Sequence, residues 1–156
     1  MKEEMFMKMA VDIAYENVVT NGGGPFGAVV VKNGQIIGVG RNQVTTKKDP
    51  TAHAEIKAIR AASKYLNNNE LKDCQLYTSC EPCPMCLGAI YWARLKVVYY
   101  GCTNKDSAKI GFDDEFIYKQ IALPVDQRSI PMVRVVPPNT YQPFHAWVNK
   151  TNKKKY

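Results

Sequence analysis

No apolar run in this sequence approaches the roughly 20 residues that a membrane-crossing helix needs. The segment from Met1 to Val18 carries Glu3, Glu4, Asp12 and Glu16 and has no uninterrupted apolar core, so a signal peptide is not expected. There is no internal repeat, no low-complexity tract and no linker-like stretch. An even cysteine set is also missing: the five cysteines stand at 74, 80, 83, 86 and 102, so a disulfide scaffold is not expected. A cytoplasmic protein, with no membrane partner, is the expectation.

What is present fits one globular domain spanning 1–156, with 46% hydrophobic and 22% charged residues. The net charge of +7 is shared along the chain, with 12 bases against 9 acids in residues 1–100 and 9 against 5 thereafter. Lys150, Lys153, Lys154 and Lys155 form a basic tail. No basic stripe interleaved with aromatics accompanies it, so it reads as a solvated terminus and nucleic acid is not the expected partner.

Apolar pairs at Met5/Phe6, Met9/Ala10 and Ile13/Ala14, then Val18, recur with a helical period. After Asn21-Gly22-Gly23-Gly24-Pro25, two β-branched runs, 26–31 and 35–40, flank Asn33-Gly34, a hairpin signal. Thr45 to Asp49 reads as polar loop, and Pro50-Thr51 as the opening of a helix running to about Tyr65. A strand at 74–78, a helix from Pro84 to about Ala93, a strand at 96–100, short helices around Gly111, a strand at 132–136 and a helix at 142–149 complete the pattern. The expected fold is α/β, a three-layer α/β/α sandwich on a mixed five-stranded sheet.

Two pieces carry chemistry, Thr51-Ala52-His53-Ala54-Glu55 and Glu81-Pro82-Cys83-Pro84-Met85-Cys86. Cys83 and Cys86, three apart at a helix start, turn their sulfurs to one side, where the positive end of the helix dipole favours thiolate. An imidazole from His53 with two thiolates is a donor set that suits zinc. A fourth protein ligand, Cys80 or His145, would close the site structurally; without one, a water takes the fourth position and the zinc is catalytic. Two thiolates neutralise the metal's charge, so such a site wants a base beside it, and Glu55 is two residues from His53. Alone, Glu55 would read as an ordinary first-turn acid.

His53-Ala54-Glu55 with Pro82-Cys83-x-x-Cys86 matches the signature of the cytidine-deaminase-like zinc deaminases. The text around it resembles the bacterial guanine deaminases: Gly24–Ala28, Asn42, Asp49–Glu55, Tyr77–Ala93, Gly111–Lys119, Pro143–Trp147 and Lys153–Tyr156. Where tRNA adenosine deaminases carry small residues after the fourth strand, this chain has Ser107-Ala108-Lys109-Ile110-Gly111-Phe112-Asp113-Asp114. The resemblance implies deamination of guanine to xanthine and ammonia, one zinc per subunit with a catalytic water, Glu55 as proton carrier and Asp114 as a second shuttle. It further implies a homodimer with C-terminal segments (about 137–156) exchanged between subunits. Phe26, Asn42, Ala54, Trp92 and Tyr156 are candidate base contacts, although a core aromatic, a turn asparagine, a packed tryptophan and a frayed terminus are the plainer readings of Phe26, Asn42, Trp92 and Tyr156. Asp114 alone would read as a capping or surface acid. A tRNA adenosine deaminase, a cytosine deaminase and a non-enzymatic zinc module are the alternatives.

Overall fold

Asn33 and Gly34 both take positive φ, 50° and 77°, the mirror-image turn that an Asn-Gly pair favours between strands. They join β1 (Gly27–Lys32) to β2 (Gln35–Arg41) as an antiparallel hairpin. The computed structural model describes residues 1–156 as two compact units, Met1–Phe116 and Ile117–Tyr156. In the first unit β3 (Cys74–Cys80) runs antiparallel to β1, and β4 (Val97–Cys102) runs parallel to β3. The parallel step is bridged by a helix, α4 (Pro84–Trp92), as a crossover between parallel strands requires.

Alternation along β1 divides the core in two. Ala28 and Val30 join a cluster with Ala54, Ala58 and Ala62 of α3 (Ala54–Leu66), while Val29 and Val31 join Phe6 of α1 (Lys2–Val19) and Tyr77. The first unit is thus helix, sheet, helix in layers, as expected. Its sheet has four strands in the order β2-β1-β3-β4, not the expected five. Residues 132–136 lie outside any ladder. Their β-branched composition favours extended backbone, but a strand is stabilised by its partner, and Pro131, Pro137 and Pro138 remove donors on both sides.

Three local features differ from the sequence reading. The segment read as polar loop holds one turn of helix, α2 (Val44–Lys47). Helix α3 opens at Ala54 instead of Pro50, because Asp49 Oδ1 accepts from the Thr51 N–H (2.9 Å) and hydroxyl (2.7 Å) and folds 49–51 into a local turn. On α1 the buried stripe is Phe6, Ala10, Ala14 and Asn17, whereas Met5, Met9 and Val18 are exposed.

That stripe of small residues has a cause. A Cβ on Gly27 would overlap the Ala10 carbonyl and sit 2.7 Å from the Ala14 nitrogen, so α1 and β1 meet backbone to backbone. The same device recurs on the opposite face. A Cβ on Gly40 would overlap the Ala54 carbonyl and sit 2.6 Å from the Ala58 nitrogen. Helix α3 therefore lies on β2 at a separation that only glycine in the strand permits.

The second unit contains the end of α6 (Glu115–Ala122), a 3-10 turn at Val125–Gln127 and α7 (Gln142–Asn149). Arg128 Nε donates to the Gln120 carbonyl (3.2 Å) and the Ser129 N–H to Gln120 Oε1 (2.7 Å). Lys153 of the basic tail caps α7 by donating to the carbonyls of Val148 (2.8 Å) and Trp147 (3.2 Å). No helix of the protein is long and apolar enough to cross a membrane.

Gly40→Ala is expected to lower the unfolding free energy by about 1–3 kcal/mol or more, the range for overpacking, in denaturant titrations. Val39→Ala, on the same strand but 47% exposed, should cost less than Gly40→Ala. Equal stability of Gly40→Ala and wild type would show that the strand–helix separation is not the constraint.

Candidate active site

Two helix starts converge on the chemistry. His53 is the N-cap of α3 and Cys83 the N-cap of α4, both in extended backbone, and Pro84 follows in the first turn of α4, where its missing N–H costs nothing. Cys86 lies one turn in and is fully buried. The Cys83 and Cys86 sulfurs each lie 3.5 Å from His53 Nδ1, and the three ligand atoms fall within 4.8 Å of one another. Tetrahedral zinc, with Zn–S of about 2.3 Å and Zn–N of about 2.1 Å, sets N···S edges of about 3.6 Å. The three side chains fit that ion.

Cys80, the alternative fourth ligand, is not in this group; its sulfur points to the Thr103 carbonyl at 3.7 Å. Burial pushes its thiol up to about 11. The ligand pair behaves differently. Hydrogen bonding from the Cys86 thiol holds Cys83 down at about 4, and the same bond raises Cys86. The Cys83 sulfur, bonded to the ring, raises His53. The two sulfurs therefore share a proton, which a bound cation displaces.

Glu55, in the first turn of α3, is 6% exposed. Its Oε2 accepts from Cys86 Sγ (3.5 Å), and its Oε1 lies 3.3 Å from the Thr78 hydroxyl, which also donates to the Cys80 carbonyl at 3.0 Å. Burial pushes this carboxyl above the usual carboxylate range. Asp114 is raised as well, again chiefly by burial. Its Oδ1 is buried with no hydrogen-bond partner. With the Asn104 amide turned so that nitrogen faces the acceptors, Nδ2 donates to Asp114 Oδ2 (3.1 Å) and the Glu81 carbonyl (3.0 Å). The Asn104 N–H in turn donates to Glu81 Oε2 at 2.9 Å, which ties the Asp114 loop to the segment leading into Cys83.

Asn42 is buried, and its Oδ1 accepts from the N–H groups of Val44 (3.2 Å) and Gly24 (3.4 Å), so its NH2 is the group left to offer a ligand. Phe26 meets Phe112 edge to face, ring centroids 5.0 Å apart. The Ala54 N–H, first in α3, has no acceptor within its helix. Trp92 ends α4 and is 67% exposed. Tyr156 belongs to the second unit and is exposed. Thr78, Asn104 and Phe112 were missed by sequence reading. Thr78 is one of many strand residues and Asn104 follows a helix cap, so neither announced itself; Phe112, two residues before Asp114, was the one with a positional signal.

A family model for the cytidine and deoxycytidylate deaminase zinc-binding region matches residues 1–102. Guanine deaminase of Bacillus subtilis (strain 168) is 57% identical over 156 residues, covering 100% of both chains. The X-ray structure of guanine deaminase from Bacillus subtilis superimposes with a TM-score of 0.96, at 57% identity and 98% coverage of each chain. A tRNA-specific adenosine deaminase of Buchnera aphidicola subsp. Schizaphis graminum is 40% identical over 111 residues, 71% of this chain and 73% of its own.

Replacing His53, Cys83 or Cys86 by Ala is expected to abolish stoichiometric zinc, while Cys80→Ser keeps one zinc per chain by metal analysis. Because Cys86 and His53 are raised and must be deprotonated to bind, zinc added to stripped protein at neutral pH should release at least one proton per chain. An indicator dye in weak buffer reads this; silence of the dye would contradict a proton held at the ligand sulfurs.

Proposed function

Because this chain belongs to the cytidine and deoxycytidylate deaminase zinc-binding family, and within it to the guanine deaminases, we propose that it hydrolyses guanine to xanthine and ammonia. The observation that carries the substrate is the reach of the likeness. It extends over all 156 residues at 57% identity, past residue 102 where the family model ends. The adenosine-deaminase relatives are less alike, 40% identical over 71% of the chain and 37% over 92%.

His53, Cys83 and Cys86 hold the zinc. Zinc held there supplies the Lewis acidity that makes water a nucleophile near neutral pH. Glu55 is the group that moves the first proton: it takes it from the attacking water and delivers it to a ring nitrogen of the base. A carboxyl whose hold on a proton is strengthened by burial is suited to both halves of that task. Asp114 serves the amine side. Asn104 holds one of its oxygens and leaves Oδ1 buried and unpartnered, an acceptor that a substrate amine would satisfy.

Recognition of the base falls to groups with a free valence. The Asn42 NH2 donates to the purine edge, the Ala54 N–H at the start of α3 donates to its carbonyl oxygen, and Phe26, braced by Phe112, stacks on its face. Trp92 and Tyr156 are proposed to wall the site. A homodimer with exchanged C-terminal segments, about 137–156, is part of this reading. Its support is the exposure of Tyr141, Phe144, Trp147 and Val148, apolar side chains that a partner surface would cover. A cytoplasmic location also belongs to it.

Ammonia release is expected from guanine and not from adenine, cytosine, cytidine or guanosine. A reactive pyrimidine or adenine with inert guanine would overturn the substrate while leaving the deaminase. Glu55→Gln should retain zinc and lose turnover by about 10²–10⁴-fold, measured as xanthine formed per zinc-loaded chain. Near-full turnover in that variant would remove Glu55 from the proton path.

A further inference from the structure

Asn17 is 0% exposed on the α1 face that otherwise carries Phe6, Ala10 and Ala14. Its amide nitrogen donates twice, to the carbonyls of Gly24 (2.8 Å) and Asn42 (2.8 Å). The Asn17 carbonyl accepts from the Gly22 N–H at 2.8 Å. The Gly24 carbonyl also accepts from the Phe26 N–H (2.8 Å), and the Phe26 carbonyl accepts from the Asn42 N–H (3.1 Å). These bonds close a ring: Asn17 to Gly24, Gly24 to Phe26, Phe26 to Asn42, and Asn42 back to Asn17. A Cβ on Gly22 would overlap Asn17 Oδ1, so the glycine loop is shaped around this amide.

The ring is not explained by packing. Asn17 Oδ1 is buried without a partner, a penalty that a leucine of similar volume would avoid. What the amide supplies, and leucine cannot, is two donors at fixed angle to two separate chain segments.

We propose that Asn17 is a positioning residue for substrate recognition: its amide locks the Gly22–Gly24 loop to Asn42 and so fixes Asn42 and Phe26 for the purine. The inference rests on the reading that Asn42 contacts the base. Asn17 itself touches no substrate, so its loss acts on substrate binding more than on the chemical step.

A double-mutant cycle on zinc-loaded protein tests this, with Asn17→Ala, Asn42→Ala and the pair, each scored for KM, kcat, zinc per chain and melting temperature. Asn17→Ser, which keeps a donor and leaves a smaller void, serves in the same cycle should the alanine variant not fold. The expected result is a KM for guanine raised about tenfold by Asn17→Ala, the scale of one good hydrogen bond. kcat should stay within about threefold, and the KM effect should largely vanish in the Asn42→Ala background. An equal KM factor in both backgrounds, or a loss of kcat and zinc with KM unchanged, overturns the assignment of Asn17 while the Asn42 reading stands. If Asn42→Ala leaves KM unchanged, the Asn42 reading fails and the proposal falls with it.

Discussion

The separation between two backbones, β2 at Gly40 and α3 at Ala54, is the constraint from which the site follows. Because no Cβ intervenes at Gly40, the first turn of α3 rests directly on the strand. That turn begins at His53 and carries Glu55, so one steric fact places both a metal ligand and the proton carrier. The alanines at 54, 58 and 62 are the helix's half of the arrangement, each fully buried. A small side chain at these positions loses little entropy on burial and leaves packing, not rotamer choice, to define the helix axis.

The second helix start supplies what the first lacks. Cys83 stands at the N-cap of α4 as His53 does at that of α3, so two of the three ligands sit at the positive ends of helices. Burial works against charge there, and it is burial that raises Glu55 and Asp114. Helix termini favour the thiolates; the dry interior favours a protonated carboxyl. Metal chemistry with proton transfer needs both tendencies side by side.

Much of this was legible in the sequence, for physical reasons that differ by element. The hairpin was legible because Asn-Gly has few other uses between β-branched runs, and the ligands because thiolate and imidazole at those spacings have few other uses at all. The fifth strand was not, since 132–136 has the composition of a strand and composition does not report whether a ladder partner exists. Asn17 was hidden by its neighbour: Val18 continues the apolar period, yet Val18 is exposed and the amide is buried. A polar residue on a buried face is invisible to a pattern that scores hydrophobicity alone. The start of α3 was read four residues early because a proline suggested it, while Asp49 had already committed those residues to a turn.

Strand β4 closes one side of the sheet and so bears an outward row of main-chain donors and acceptors. Such a row is a template for any extended chain that lies alongside it. Strands β2 and β4 are the two members of the sheet with a neighbour on one side only, so crowding and concentration act on this sheet through those two strands.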